Sequence, residues 1–406
     1  MHRDNAMTRC KSLAVLWLLF AMTMSADPAV PQTPSPARET TGQFLVTALW
    51  KVAEPGRGTP STDGNVVFFL TAGHDVVALN AKTGTLLWRA ATAERGDGLT
   101  GSFIGRAGQQ VVVGEFDLTL LDVRTGRELW RFAPTNGYGA GLYVGAMAGE
   151  MLYTGSPAGR LYAINTATRT ERWSYSVSAT AAPVTVYEPA IDRGAVYATF
   201  TRFTSPPRGG LFALDAATGR LLWQAEFPTL DGVPAMPSGA GSNAVARAGL
   251  VVASSETGWI YAFNAATGAL RWRAPPVGKS DRPPASPAVE HADLRGLAIA
   301  GDQAFAGSLT GTVSAYQLST GTQRWTADPN LGSTDSRIGS DGRLVYVPYG
   351  SGTLLGFDVS TGAVRLRLGD ADDRVTSLPF VVANRLYVSS SRHLSSLAIG
   401  MSGRAR

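Results

Sequence analysis

One short pattern limits what this chain can fold into. Residues 214–223 read Leu-Asp-Ala-Ala-Thr-Gly-Arg-Leu-Leu-Trp. Asp215 suits the opening of a turn, because its short side chain can accept hydrogen bonds from backbone N–H groups just ahead of it. Gly219 suits its close, where positive φ costs glycine little. Apolar residues alternate on both sides, Leu211 to Leu214 before and Leu221 to Trp223 after, which is a two-stranded hairpin with a four-to-five-residue loop. The pattern recurs with Asn80 and Gly84 before Trp88, Asp122 and Gly126 before Trp130, Asn165 and Arg169 before Trp173, Asn264 and Gly268 before Trp272, and Gln317 and Gly321 before Trp325. A seventh copy, Asp358 and Gly362, has Leu366 where tryptophan is expected. Near the start, Trp50 lies in a lone strand that has the end of the repeat without its beginning.

The interval between successive Trp or Leu positions runs from 38 to 53 residues. Periods near 40–50, with several short strands in each, indicate a β-propeller. The fifth unit shows the pattern: strands are expected over 244–247, 249–254, 259–264 and 269–274. The last unit, 376–380, 385–389 and 394–399, has three strands and no hairpin after them. The strand around Trp50 is its missing fourth, and pairing first with last closes the ring and removes an open edge. This counts as an all-β, eight-bladed propeller of four-stranded antiparallel blades, with seven blades as the alternative. Arg169 in a glycine position would cost on the order of 1 kcal/mol if left-handed, so a different turn shape is expected there.

The Ala-x-Asp/Asn-x-x-Thr-Gly-x-x-x-Trp repeat resembles the tryptophan-docking repeat of pyrroloquinoline-quinone (PQQ)-like propellers, over about residues 44–399. That family includes quinoprotein alcohol dehydrogenases and cofactor-free propellers such as the lipoprotein that helps assemble outer-membrane β-barrels. The resemblance implies that Trp50, Trp88, Trp130, Trp173, Trp223, Trp272 and Trp325 are structural, each packed between neighbouring blades. For a quinoprotein it also implies a carboxylate base, Ca²⁺ held by acidic and amide groups, a stacked Trp and adjacent cysteines beside PQQ. The adjacent cysteines are absent: Cys10 is the sole cysteine.

Export is expected from the first 26 residues. Arg3, Arg9 and Lys11 precede an apolar core at 13–22, and small residues at 23–26 follow it, the arrangement of a cleavable secretory signal. An uncleaved anchor is the alternative, although the core is shorter than a membrane span of roughly 20 residues. Cys10 lies before that core, so it is not a lipid-accepting cysteine, and after cleavage no disulfide can form. Pro28, Pro31, Pro34 and Pro36 mark a linker over 27–42. The domain plan is therefore signal 1–26, linker 27–42, propeller 43–400 and basic tail 401–406. The net charge of +5 falls to +3 without the signal, too little to imply nucleic acid as a partner.

Catalytic signatures fail on inspection. No Gly-x-Ser-x-Gly elbow is present. Gly278-Lys279-Ser280 lacks the first glycine of a phosphate loop, with Arg273 in its place, and the Asp281-Arg282-Pro-Pro that follows opens no helix. Asp370 and its neighbours lack the Gly and Glu of a Ca²⁺ loop. His2, His74, His291 and His393 have no metal-ligand spacing. Glu115, Asp117, Glu188 and Glu290 are candidate carboxylates, read as loop or strand-edge residues. Trp259, outside the repeat, either stacks on a ligand or packs a blade.

The repeat lengthens over 178–191 with 201–209, over 226–242 and over 275–295. Strand alternation places all of these insertions on one face, above blades four to six, and loops on a rigid scaffold are where binding resides. The residues there that suit a partner are Tyr187, Glu188, Arg202, Phe203, Arg208, Lys279, Asp281, Arg282, Glu290, His291 and Arg295; tolerated surface insertion is the alternative. The expected function is an exported bacterial, monomeric scaffold that binds or helps assemble cell-envelope proteins without catalysis, in the periplasm or secreted. The alternative is a small quinoprotein dehydrogenase with PQQ and Ca²⁺ in the axial funnel.

Overall fold

The computed structural model describes residues 44–92, 103–114, 117–134, 141–143, 145–177, 182–204, 207–228, 240, 243–255, 258–275, 294–334 and 337–401. The chain divides into compact units Met1–Gln32 and Thr33–Arg406, and every described residue belongs to the second. The expected signal, linker and basic tail lie outside the described residues, apart from Met401.

The described residues form β-strands and no α-helix. They build eight antiparallel blades, and eight is thus the blade number. The inner strands of blades 1–7 begin at Gly56, Phe103, Ala146, Val184, Val245, Leu294 and Gly339. Blade 8 pairs Phe380–Val382, Arg385–Ser389 and Leu394–Met401 with Phe44–Val52 as its outer strand. Phe44 lies opposite Met401 and Val52 opposite Leu394, so the first strand closes the ring. One parallel bridge, Thr59 to Phe103, links the inner strands of blades 1 and 2.

Middle strands are buried on both faces, which is why they read as continuous apolar runs. Val67, Phe68 and Phe69, then Val76, Val77 and Ala78, are inaccessible. Outer strands alternate instead: in Leu221–Glu226, Trp223 is buried while Leu221 and Leu222 are exposed. Successive blades contribute to shared apolar clusters. One joins Tyr197, Leu211 and Trp223 of blade 4 to Val251, Tyr261 and Phe263 of blade 5. Burial at roughly 25 cal/mol per Å² across these seams is the main force holding the ring.

Six of the repeat's tryptophans reach the turn of the next blade. The Trp50 indole N–H donates to the Ala81 carbonyl (3.1 Å), Trp88 to Val123 (3.0 Å), Trp173 to Ala216 (3.1 Å), Trp223 to Ala265 (2.9 Å), Trp272 to Leu318 (2.8 Å) and Trp325 to Val359 (2.9 Å). The turn glycine lies flat beneath the ring. A Cβ on Gly219 would sit 2.6 Å from the Trp173 indole, and one on Gly268 2.6 Å from Trp223. Glycine is needed there twice over, for its positive φ of 72° and for the close ring approach.

Two irregular copies differ from expectation or gain a reason. Arg169 is left-handed at φ 60°, as the turn glycines are, but the bond that the Gly219 N–H donates to the Asp215 carbonyl (2.8 Å) in the regular turn is not repeated at Arg169, so this turn differs in part from the others. This copy has no turn glycine to seat Trp130, and Trp130 is only half-buried and stacks on Phe132 (5.9 Å). Leu366 faces blade 8, whose third and outer strands are joined through no turn because they come from opposite ends of the fold. The seat is missing, and so is the tryptophan.

Candidate functional site: the ring axis and the blade-4 tip

Inner strands of most consecutive blades contact one another and so line the axis. Their hydrogen-bond register slips mid-strand. In blade 4, Val186 lies opposite Phe200, the Tyr187 N–H donates to Thr199 (3.0 Å), and Ala190 lies opposite Tyr197. Glu188 and Pro189 therefore share one partner, Ala198. Such a bulge re-aims a side chain, and Pro189 suits it because it has no N–H to leave unmatched. In blade 7, Thr334 pairs with Tyr349 and Gly339 with Tyr346, leaving two more residues on the inner strand than on its partner. Arg337 belongs to that bulge.

The two bulges meet. Arg337 Nε lies 3.4 Å from Glu188 Oε2, joining blade 4 to blade 7 with blades 5 and 6 between them. Each side chain is about one-quarter exposed, although protein surrounds Glu188 closely, as in a narrow recess that water still reaches. Desolvation pushes the Glu188 carboxyl above the usual range, and the Arg337 charge offsets this only in part. Beside the pair, the rings of Tyr143 and Tyr187 lie 5.4 Å apart. Burial, with a smaller contribution from Tyr187, pushes the Tyr143 hydroxyl up to about 12. Tyr187 and Glu188 thus belong to the inner strand, not to the blade connection that 178–191 was read as. The Tyr187 hydroxyl donates to Thr201 Oγ1 (3.3 Å), which also accepts the Ala240 N–H (2.8 Å).

The tip of blade 4 carries three more of the expected residues. Arg202 and Arg208 face each other across the strand pair. Arg202 bonds Glu226 (2.8 Å) and lies over the Phe200 ring at 4.7 Å. Its Nε is buried without a partner. Phe203, half exposed, stands just beyond. Like charges directly opposite on adjacent strands are unfavourable, and Glu226 neutralises one of them.

Other candidates are accounted for or lie outside. Asp117 pairs with Arg131 (3.8 Å). His393 Nδ1 bonds Asp373 (2.8 Å), and Arg57 bonds the His74 ring (2.9 Å). Burial would raise the Asp373 carboxyl, but the Ser390 hydroxyl and His393 together hold it below its ordinary value. Trp259 packs against the blade 4–5 cluster with the Arg273 guanidinium 5.5 Å over its ring. Glu115, Lys279, Asp281, Arg282, Glu290 and His291, and the Arg295 side chain, lie outside the described residues. Sequence reading missed Arg337, whose neighbours form no motif. It also missed the aromatic partners of the tryptophans: Phe68, Tyr153, Tyr197, Phe305 and Tyr387, all tilted against the indole near 6 Å.

Residues 40–115, 114–275 and 207–401 match the family described as outer membrane protein assembly factor BamB. The chain belongs to this family. Its PQQ-like repeat also appears in a quinohemoprotein alcohol dehydrogenase, ADH IIB, of Pseudomonas putida, 32% identical over 126 residues, which are 29% of this chain and 18% of the dehydrogenase. The chain thus matches under one-fifth of that relative's length. Among solved structures, BamB from Moraxella catarrhalis superposes with a TM-score of 0.61 at 16% identity, covering 89% of this chain and 99% of that one. Quinohemoprotein alcohol dehydrogenase from Comamonas testosteroni gives 0.62 at 14% identity, covering 89% and 77%. At such identities these structures show the fold alone.

Among the described residues no three His, Cys, Asp or Glu side chains converge. The one axial carboxylate described above, Glu188, is opposed by a guanidinium rather than by further anionic donors.

Proposed function

We propose that this chain is a non-catalytic protein-binding scaffold that assists assembly in the bacterial cell envelope. The family match over most of its length supports this reading. The observation that carries it is the blade-4 tip, where exposed Phe203 stands just beyond Arg202 and Arg208, which face each other at the end of a strand pair. Aromatic and arginine anchors dominate the energetics of protein interfaces. A partner segment with an acidic group and an apolar side chain would match the tip. Tyr187, Glu188, Lys279, Asp281, Arg282, Glu290, His291 and Arg295 remain proposed contributors to the same face or to the recess beside it. The working molecule is a monomer, exported by its first 26 residues to the periplasm or beyond.

The test is genetic and direct. Deleting the gene should lower outer-membrane β-barrel content, wild-type chain should restore it, and R202A/F203A/R208A should not while remaining folded. Full restoration by the triple variant would defeat the assignment of the tip. Fractionation reports export, and recovery of the mature chain in the cytoplasm would defeat that part.

The alternative is a small dehydrogenase using PQQ and Ca²⁺. It has in its favour the 126-residue likeness to a quinohemoprotein dehydrogenase, and against it the poor donor set at the axis. Titrating the purified chain with PQQ and Ca²⁺ separates the two: tight binding with alcohol-dependent dye reduction would replace the scaffold reading.

A further inference from the structure

We propose that Glu188 and Arg337 form a cross-axis tie, a contact that couples two blades that are not neighbours. In a propeller each blade touches the next, so strain at one seam passes around the ring only step by step. This pair bypasses blades 5 and 6.

Three features show that the contact is built. Both residues sit on register bulges, which turn them out of the strand alternation. Both bulges are seated by a glycine of the preceding blade. A Cβ on Gly155 would overlap the carbonyl oxygens of Val186 and Tyr187, and a Cβ on Gly296 would lie 2.7 Å from the Ile338 nitrogen and 2.9 Å from the Arg337 carbonyl carbon. The two segments therefore depend on glycine at two separate seams to reach the axis. Finally, burial weighs against the Glu188 charge more than Arg337 supports it. A charge pair in such a place contributes little to net stability and chiefly specifies which groups meet. The pair accordingly fixes the distance between blades 4 and 7.

Hydrogen–deuterium exchange on the intact mature chain tests this with E188Q, R337Q and the double variant, all close in size to the native side chains. E188Q should speed exchange several-fold in the inner strand of blade 7, and R337Q should do so in the inner strand of blade 4. Blades 1 and 2 should be unchanged in both. The double variant should exchange no faster than either single one, because both singles break one contact. If each substitution loosens only its own blade, or if the double effect is the product of the two singles, the tie does not exist. This readout involves no partner, so its failure leaves the scaffold reading standing, and loss of the scaffold reading leaves the tie.

Discussion

At the scale of single residues, the tryptophans and turn glycines act as pairs. Trp223 is buried, bonded to Ala265 and seated on Gly268. Trp223→Ala should lower stability by about 3–5 kcal/mol, as large-to-small core changes do, measured from denaturant midpoints. Trp130→Ala should cost less, because Trp130 is only half-buried and has no turn glycine to seat it. Arg169→Gly should raise stability by about 1 kcal/mol through relief of the left-handed strain; a loss would mean the Arg169 side chain makes contacts that outweigh it. Glu188 gives a pH signature. Its native carboxyl titrates above its unfolded value, so the folded chain holds that proton more tightly. Stability from this group is full below the ordinary glutamate range and lost as pH rises through the raised value. E188Q should flatten that part of the stability–pH curve.

Blades and turns are the next scale, and here most of the fold was legible. A Trp a fixed distance after a Thr-Gly turn makes each outer strand visible, and the three strands before it follow from alternation. Ring closure was legible from Trp50, whose strand had no hairpin of its own. Leu366 was readable as an exception but not as a consequence, since the reason is spatial: blade 8 has no turn to receive a Trp. Leu366→Trp should therefore destabilise the fold by about 1–3 kcal/mol by overpacking, which a denaturant series would measure. The aromatic residues beneath the indoles, such as Tyr197 under Trp223, were hidden because they lie on a middle strand where any large apolar residue satisfies the pattern. Glu188 and Arg337 were hidden more deeply. They are about 150 residues apart, and only a closed eight-bladed ring brings them together. The candidate tip residues Arg202, Phe203 and Arg208 were reached through the lengthened loop, a weaker signal than the repeat.

For the whole molecule, the alternation of strands separates two faces. The Thr-Gly turns emerge on one, and the Phe203 tip on the other. Phe44 and Met401 are paired neighbours on the outer edge of blade 8, at the face of the Thr-Gly turns. Nothing covalent distinguishes blade 8 from the rest except this gap. The order in which the blades occur along the chain is therefore incidental to the fold. A circular permutant that joins Met401 to Phe44 through an Asp-Ala-Ala-Thr-Gly turn, and opens instead at the Arg169 turn, should fold to the same ring. It would give blade 8 the turn it lacks and move the break to the seam where Trp130 is already poorly seated.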